Sequence, residues 1–264
     1  MYSLYARIIW RRSVKPKGNV SCMIISYAAF LAMAFGMAIP AIAAPFTVSS
    51  PVAARQYRIR LAAEFKDTPG KDTLILPKLE LTVPVAPGLS VAVKGHVRTI
   101  DEDGAHSQTG FGDIELKAKW NFLKVDERRI AIAIEPVLSL PSGDYGRGLG
   151  DSHIGITLPL ILGYEAGAWD LGGEVGYEHV FGSTDHKGYT GILAMRHFTP
   201  SLRLGAEFIL ETSEIDFGLD TRANVGFKLK IGKNSELQGL VGRTLHTTDD
   251  QTENEFKMAY EIRW

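Results

Sequence analysis

Eight charged residues recur at spacings that suit a role inside a protein: Arg58, Arg60, Lys94, Arg98, Glu115, Lys117, Lys119 and Glu135. Most have apolar neighbours, so on an extended backbone the charges project to one face and the apolar side chains to the other. An enclosed face carrying both signs has two uses. The charges can pair with one another and satisfy a filled interior, or they can meet water and line a path for a small solute. Because the set is mixed in sign, it defines neither a cation filter nor an anion filter.

Covalent and metal chemistry find no comparable set. The stretch Ser142 to Asp151, SGDYGRGLGD, is rich in glycine, but a phosphate cradle needs a following helix to aim backbone donors, and here the next residues alternate as a strand. Its glycines suit turn conformations instead. The seven histidines contain no HExxH and no paired ligand spacing, and the clusters Asp101-Glu102-Asp103 and Asp249-Asp250 lack the spacing of a calcium loop. Ser152-His153 and His106-Ser107 are adjacent pairs, which on a strand sends the two side chains to opposite faces and separates a nucleophile from its base. No catalytic residue, metal or cofactor is expected, and an enzyme is not the expected function.

The charged set needs strands to hold it. In Gly110 to Leu123, Ile114, Leu116, Ala118, Trp120 and Phe122 alternate without a slip against Asp113, Glu115, Lys117, Lys119 and Asn121. Period two is a strand with two unlike faces. At about 3.3 Å per residue such a run extends for about 35 to 40 Å, whereas strands of soluble domains stop at about 5 or 6 residues. A wholly apolar face ending in aromatics, opposite a face with four charges, is expected where the first meets lipid and the second an enclosed lumen. A long edge strand of a soluble sandwich would alternate in the same way, so the rest of the chain has to decide.

Similar alternation recurs over residues 55–66, 73–85, 89–98, 130–140, 154–164, 169–177, 202–210, 223–231, 237–245 and 256–264. It is interrupted by Pro77 and Pro84 in the second run, and it blurs over 189–198, where Ile192 and Phe198 fall out of phase with Leu193 and Met195. The count is about twelve strands in roughly 220 residues, with short connections after the even-numbered strands and longer, more polar ones, beginning with Asp67 to Asp72, after the odd-numbered strands. That asymmetry predicts an all-β fold, a transmembrane antiparallel up-and-down β-barrel, with both termini in the periplasm. Folding the third and fourth strands about Asp101 to Thr109 is expected to bring Arg98 near Asp113 and His96 near Glu115. The next hairpin is expected to bring Lys117 or Lys119 near Glu135. Leu116→Arg on the lipid face is expected to cost more than Lys117→Glu on the lumen face.

The start of the chain reads as an export signal. Arg7, Arg11, Arg12, Lys15 and Lys17 precede an uncharged run from Met23 to Ile39, then Pro40 and Ala41-Ile42-Ala43. Residues 1–43 are therefore expected to be a signal peptide and 44–264 the barrel, a retained helical anchor being the competing reading. Met23 is an alternative start. The only cysteine, Cys22, falls in the leader, so the mature chain is expected to carry neither thiol nor disulfide. A net charge of −1 gives no basic field for nucleic acid. The last run ends on Trp264 with apolar residues at every second position back to Phe256, which resembles the C-terminal signal read by the barrel-assembly machinery. The expected location is the bacterial outer membrane. Its lipid and lipopolysaccharide, the assembly machinery and a small-molecule solute are the expected partners.

Gly110 to Phe122 with its GFGD opening, and Glu135 to Val180 with Leu140-Pro141-Ser142-Gly143-Asp144, Leu149-Gly150-Asp151 and Gly176-Tyr177, resemble the MetA-pathway of phenol degradation family, more loosely from about Tyr57 to Trp264. The resemblance implies an outer-membrane barrel proposed to pass small, often hydrophobic, compounds, and it assigns no residue to binding. The leading expectation is a channel or uptake barrel for small molecules with the eight charged residues lining its lumen. The alternative is a side-chain-filled structural or surface-interaction barrel without transport.

Overall fold

The structure, a computed structural model, describes residues 46–125, 129–183, 186–213, 218–247 and 252–264. The expected leader, the Asp126-Glu127 turn and the Asp249-Asp250 cluster lie outside the described residues. Fourteen strand segments run in order: β1 (Arg58–Thr68), β2 (Lys71–Ala86), β3 (Leu89–Glu102), β4 (Gln108–Phe111), β5 (Ile114–Val125), β6 (Ile130–Ile134), β7 (Val137–Leu140), β8 (Gly155–Ala166), β9 (Trp169–Val180), β10 (His186–His197), β11 (Leu202–Ser213), β12 (Leu219–Lys230), β13 (Ser235–His246) and β14 (Asn254–Arg263). All pair antiparallel, and β1 closes on β14 from Arg58↔Arg263 to Asp67↔Asn254. Closure leaves no free edge, which is what allows a sheet to stand in lipid.

The fourteen segments make twelve staves. Both β4 and β5 pair with β3, and both β6 and β7 pair with β5 and with β8. The run expected to pass from Gly110 to Leu123 without a slip is thus interrupted at Gly112-Asp113. There Asp113 leaves the ladder to accept hydrogen bonds from the Gly143 amide at 2.7 Å and the Asp151 amide at 2.6 Å. The second break falls at Glu135-Pro136, where proline has no N–H to give the ladder. The prolines of β2 act in the same way, with register shifts between Ile75 and Lys78 and between Pro84 and Ala86.

Burial is inverted relative to a soluble protein. Leu116, Trp120, Phe122, Val175 and Val225 are exposed, whereas Glu64, Glu80, Glu174, Glu207, Glu236, Glu255 and Glu261 are buried. Aromatic rings collect where the strands meet short turns: Tyr57 stacks on Trp264 at 6.0 Å, Trp120 lies 5.6 Å from Phe122, and Arg196 sits over Trp169 at 5.7 Å and Phe198 at 5.1 Å. Such a girdle marks an interface between hydrocarbon and water. One expected loop is absent, since Asp67↔Asp72 and Thr68↔Lys71 remain paired and only Pro69-Gly70 turns. Gly70, at φ 81°, supplies the left-handed conformation that so tight a turn demands.

Candidate solute pathway

The barrel interior is shaped first by the chain's own residues 46–56, which precede β1 and fold inside as a strap. Glu207 Oε1 accepts from the Thr47 amide at 2.9 Å and Glu207 Oε2 from the Val48 amide at 3.0 Å. Glu174 accepts from the Ser49 amide at 2.7 Å, Ser90 Oγ from the Ala54 amide at 3.2 Å, and Lys119 donates to the Ser50 carbonyl at 2.7 Å. Backbone groups withdrawn from water are costly when unpaired, so these contacts allow an irregular segment to lie in the lumen. Space comes from glycine. A Cβ on Gly191 would meet Val48 Cγ2 at 2.7 Å and one on Gly163 would meet Pro51 Cγ at 2.6 Å, while one on Gly226 would meet the Gly239 carbonyl of the next strand at 2.4 Å and Phe46 Cζ at 2.9 Å.

The strap also explains the blurred pattern of β10. Leu193 and Met195 face inward there because Phe46 packs against them and Leu240, while Ile192 faces lipid. An apolar inner face opposite an apolar outer face erases the alternation that marks other strands.

Two cavities border the charged residues. One of about 430 Å³, beside the strap, is lined by Arg58, Arg60, Lys94, Lys117, Lys119 and Glu135 among others. The second, of about 400 Å³ and nearer the long connections, is lined by Lys94, Arg98 and Glu115 with residues of β1, β2 and β3. Lys78 and Lys94 border both. Each of the eight residues singled out from sequence therefore borders one cavity or both.

Their charges are sorted into a ladder. Arg60 reaches Glu80 and Glu261, each at 2.8 Å, Arg58 lies 3.9 and 3.6 Å from the same two carboxylates, and Lys117 lies 3.2 Å from Glu80. Lys119 pairs with Glu135 at 2.9 Å, as the hairpin reading allowed. The other two expected pairings do not form. Arg98 stands opposite Gly110, and Glu115 stands opposite Lys94, to which it is ion-paired. The hairpin itself sets a different register, with Ile100 opposite Gln108, and the interruption at Gly112-Asp113 alters it by only one residue; His96 comes to lie against Gly112, whose missing Cβ leaves its place.

Sequence reasoning passed over Glu80 and Glu261, the acceptors at the centre of the ladder, although Leu79-Glu80-Leu81 and Tyr260-Glu261-Ile262 carry the same alternation as the residues it chose. It passed over the strap entirely, because residues 46–56 have no periodicity to read. It also misplaced Ser152-His153. These residues lie in a bend rather than a strand, and Ser152 Oγ is 2.7 Å from His153 Nδ1, both side chains exposed.

The sequence profile of the family described as "Putative MetA-pathway of phenol degradation" matches residues 66–261. Among solved structures, an outer membrane channel from Pseudomonas putida F1 superposes with a TM-score of 0.66 at 15% identity, covering 84% of this chain and 100% of that one. The NanC porin gives 0.56 at 7% identity over 78% and 100% of the two chains. The beta domain of the Bordetella autotransporter BrkA gives 0.54 at 10% identity over 79% and 99%. These likenesses establish a shared fold, the closed barrel of the bacterial outer membrane. Among curated protein sequences there is no match.

Proposed function

We propose that this chain, which belongs to the MetA-pathway of phenol degradation family, is a narrow outer-membrane channel that passes small molecules, including hydrophobic ones, through its charged lumen. The observation that carries the reading is the pair of cavities of about 430 and 400 Å³, bordered in common by Lys78 and Lys94, inside a barrel whose exterior is apolar. Ion pairs alone serve a filled interior and an open one alike, so it is the space beside them that favours the channel. Charges that also meet water are solvated in part by it. The strap narrows the lumen between the wall carboxylates Glu174 and Glu207, so the solutes admitted are small.

One observation favours a second reading, a closed barrel without transport: five polar contacts hold the strap across the lumen. Swelling of proteoliposomes in isotonic small solutes separates the two. Swelling that falls off steeply with solute size supports the channel, and no swelling from correctly folded protein supports the closed barrel.

A further inference from the structure

The second cavity is uneven in charge once its ion pairs are accounted for. Lys78 is matched by Glu64 and Lys94 by Glu115, Lys66 lies 3.0 Å from Glu253, and Lys71 lies 2.7 Å from Glu102. Both carboxylates that line the cavity, Glu64 and Glu115, are thereby engaged. Arg98 forms no ion pair among the described residues, and its Nε is buried without a hydrogen-bond partner. Beside it on the same face of β3, His96 buries both ring nitrogens, likewise without a partner. A guanidinium left unmatched in a confined space is costly unless something supplies the acceptor.

The same cavity has an apolar wall. Ile75 stands opposite Arg98 in the β2–β3 ladder, Ile100 follows on the same face, and both are buried. The connection between β7 and β8 reaches Ile100: Leu149 is fully buried, and Gly148, at φ 69°, sits so that a Cβ would come 4.0 Å from Ile100 Cδ1. An unmatched guanidinium next to two isoleucines is complementary to a solute with an acidic head and an apolar body.

We propose that Arg98, with His96, Ile75 and Ile100, forms a recognition site for small organic carboxylates with an apolar body. The carboxylate accepts from the Arg98 guanidinium, and His96 supplies a further donor. The body of the acid lies on Ile75 and Ile100. At about 400 Å³ the cavity is of the size that holds one small ligand. The site deepens the channel reading and rests on it for its biological use. It makes the outer part of the pathway selective for anionic over neutral solutes of the same shape, which the mixed signs of the whole lumen do not imply.

Calorimetric titration of the folded protein in detergent, with sodium benzoate and with the uncharged benzyl alcohol, against empty micelles as blank, tests the site. Saturable benzoate binding that weakens with added salt, at least about tenfold tighter than benzyl alcohol, is the expected result. Arg98→Gln is expected to weaken benzoate by about tenfold or more and to leave benzyl alcohol unchanged. Equal binding of the two probes, no saturable benzoate binding, or Arg98→Gln binding benzoate like the wild type overturns the proposal. The comparison of probes on the wild type decides it even where the variant does not fold. Benzoate binding by a protein that carries no current would uphold the site and remove the channel. Current without benzoate binding would do the reverse.

Discussion

Lys117 is the residue whose replacement most sharply separates a structural ladder from freely solvated lumen charges. From alternation alone, Lys117→Glu on the lumen face is expected to cost less than Leu116→Arg on the lipid face. The contacts reverse that order. Lys117 Nζ lies 3.2 Å from Glu80, and the same carboxylate is 2.8 Å from Arg60. At an effective dielectric of about 20, a unit pair at 3.2 Å interacts with about 5 kcal/mol, and a carboxylate at that place turns attraction into repulsion. Side-chain relaxation and lumen water reduce the figure, so the expected loss for Lys117→Glu is about 3 to 5 kcal/mol, the range for breaking a buried pair. Leu116→Arg is expected to cost about 2 to 4 kcal/mol near the bilayer midplane. Lys117→Met, which removes attraction without adding repulsion, falls between zero and the Lys117→Glu loss because Arg60 still serves Glu80. Reversible urea unfolding in lipid vesicles, followed by tryptophan fluorescence, measures all three. A double-mutant cycle with Lys117→Met and Glu80→Gln isolates the pair, with a coupling of about 1 to 3 kcal/mol expected. A coupling within about 0.5 kcal/mol of zero, or a Lys117→Glu loss under about 1 kcal/mol, would refute the ladder.

Three further outcomes follow from the strap and the loops. Glu207→Ala removes two acceptors from the Thr47 and Val48 amides, each worth about 1.5 to 3 kcal/mol to a charged partner, so hydrogen exchange at these amides should accelerate by about a hundredfold or more while the barrel ladders stay protected. Gly191→Val places a Cβ 2.7 Å from Val48 Cγ2, and the overpacking, about 1 to 3 kcal/mol, should dislodge the strap and raise protease cleavage near Val48; unchanged cleavage would put the strap elsewhere. Cysteine at Asp103 or Gly146, on long connections, should react with an impermeant reagent on intact cells, and cysteine at Pro200 should not. Reversed labelling would invert the orientation.

The barrel was legible in the sequence because lipid and lumen impose opposite demands on alternate residues. Ile114 to Phe122 could be read without knowing its neighbours, and the connection lengths supplied the topology. What escaped were features set by contacts between distant segments. Asp113 reads as one more inward charge, yet it leaves the ladder to hold Gly143 and Asp151, and the turn of the hairpin, which no periodicity records, places Gly110 opposite Arg98 and Lys94 opposite Glu115. Leu193 and Met195 read as noise, yet they are inward because Phe46 lies on them. Glycine at 163 and 191 carries no signal in the alternation, while in the fold it is room for Pro51 and Val48 of the strap.

The central claim is that water and solute pass along the charged inner face, past the strap. Single-channel recording of the folded wild-type protein in a planar bilayer tests it most directly. The account predicts discrete, small current steps, with a reversal potential in a salt gradient shifted toward anions and steps reduced by millimolar benzoate. No current at any salt concentration or voltage, from protein whose heat-modifiable migration shows it to be folded, would contradict the account and leave the ladder and strap as the filling of a closed barrel.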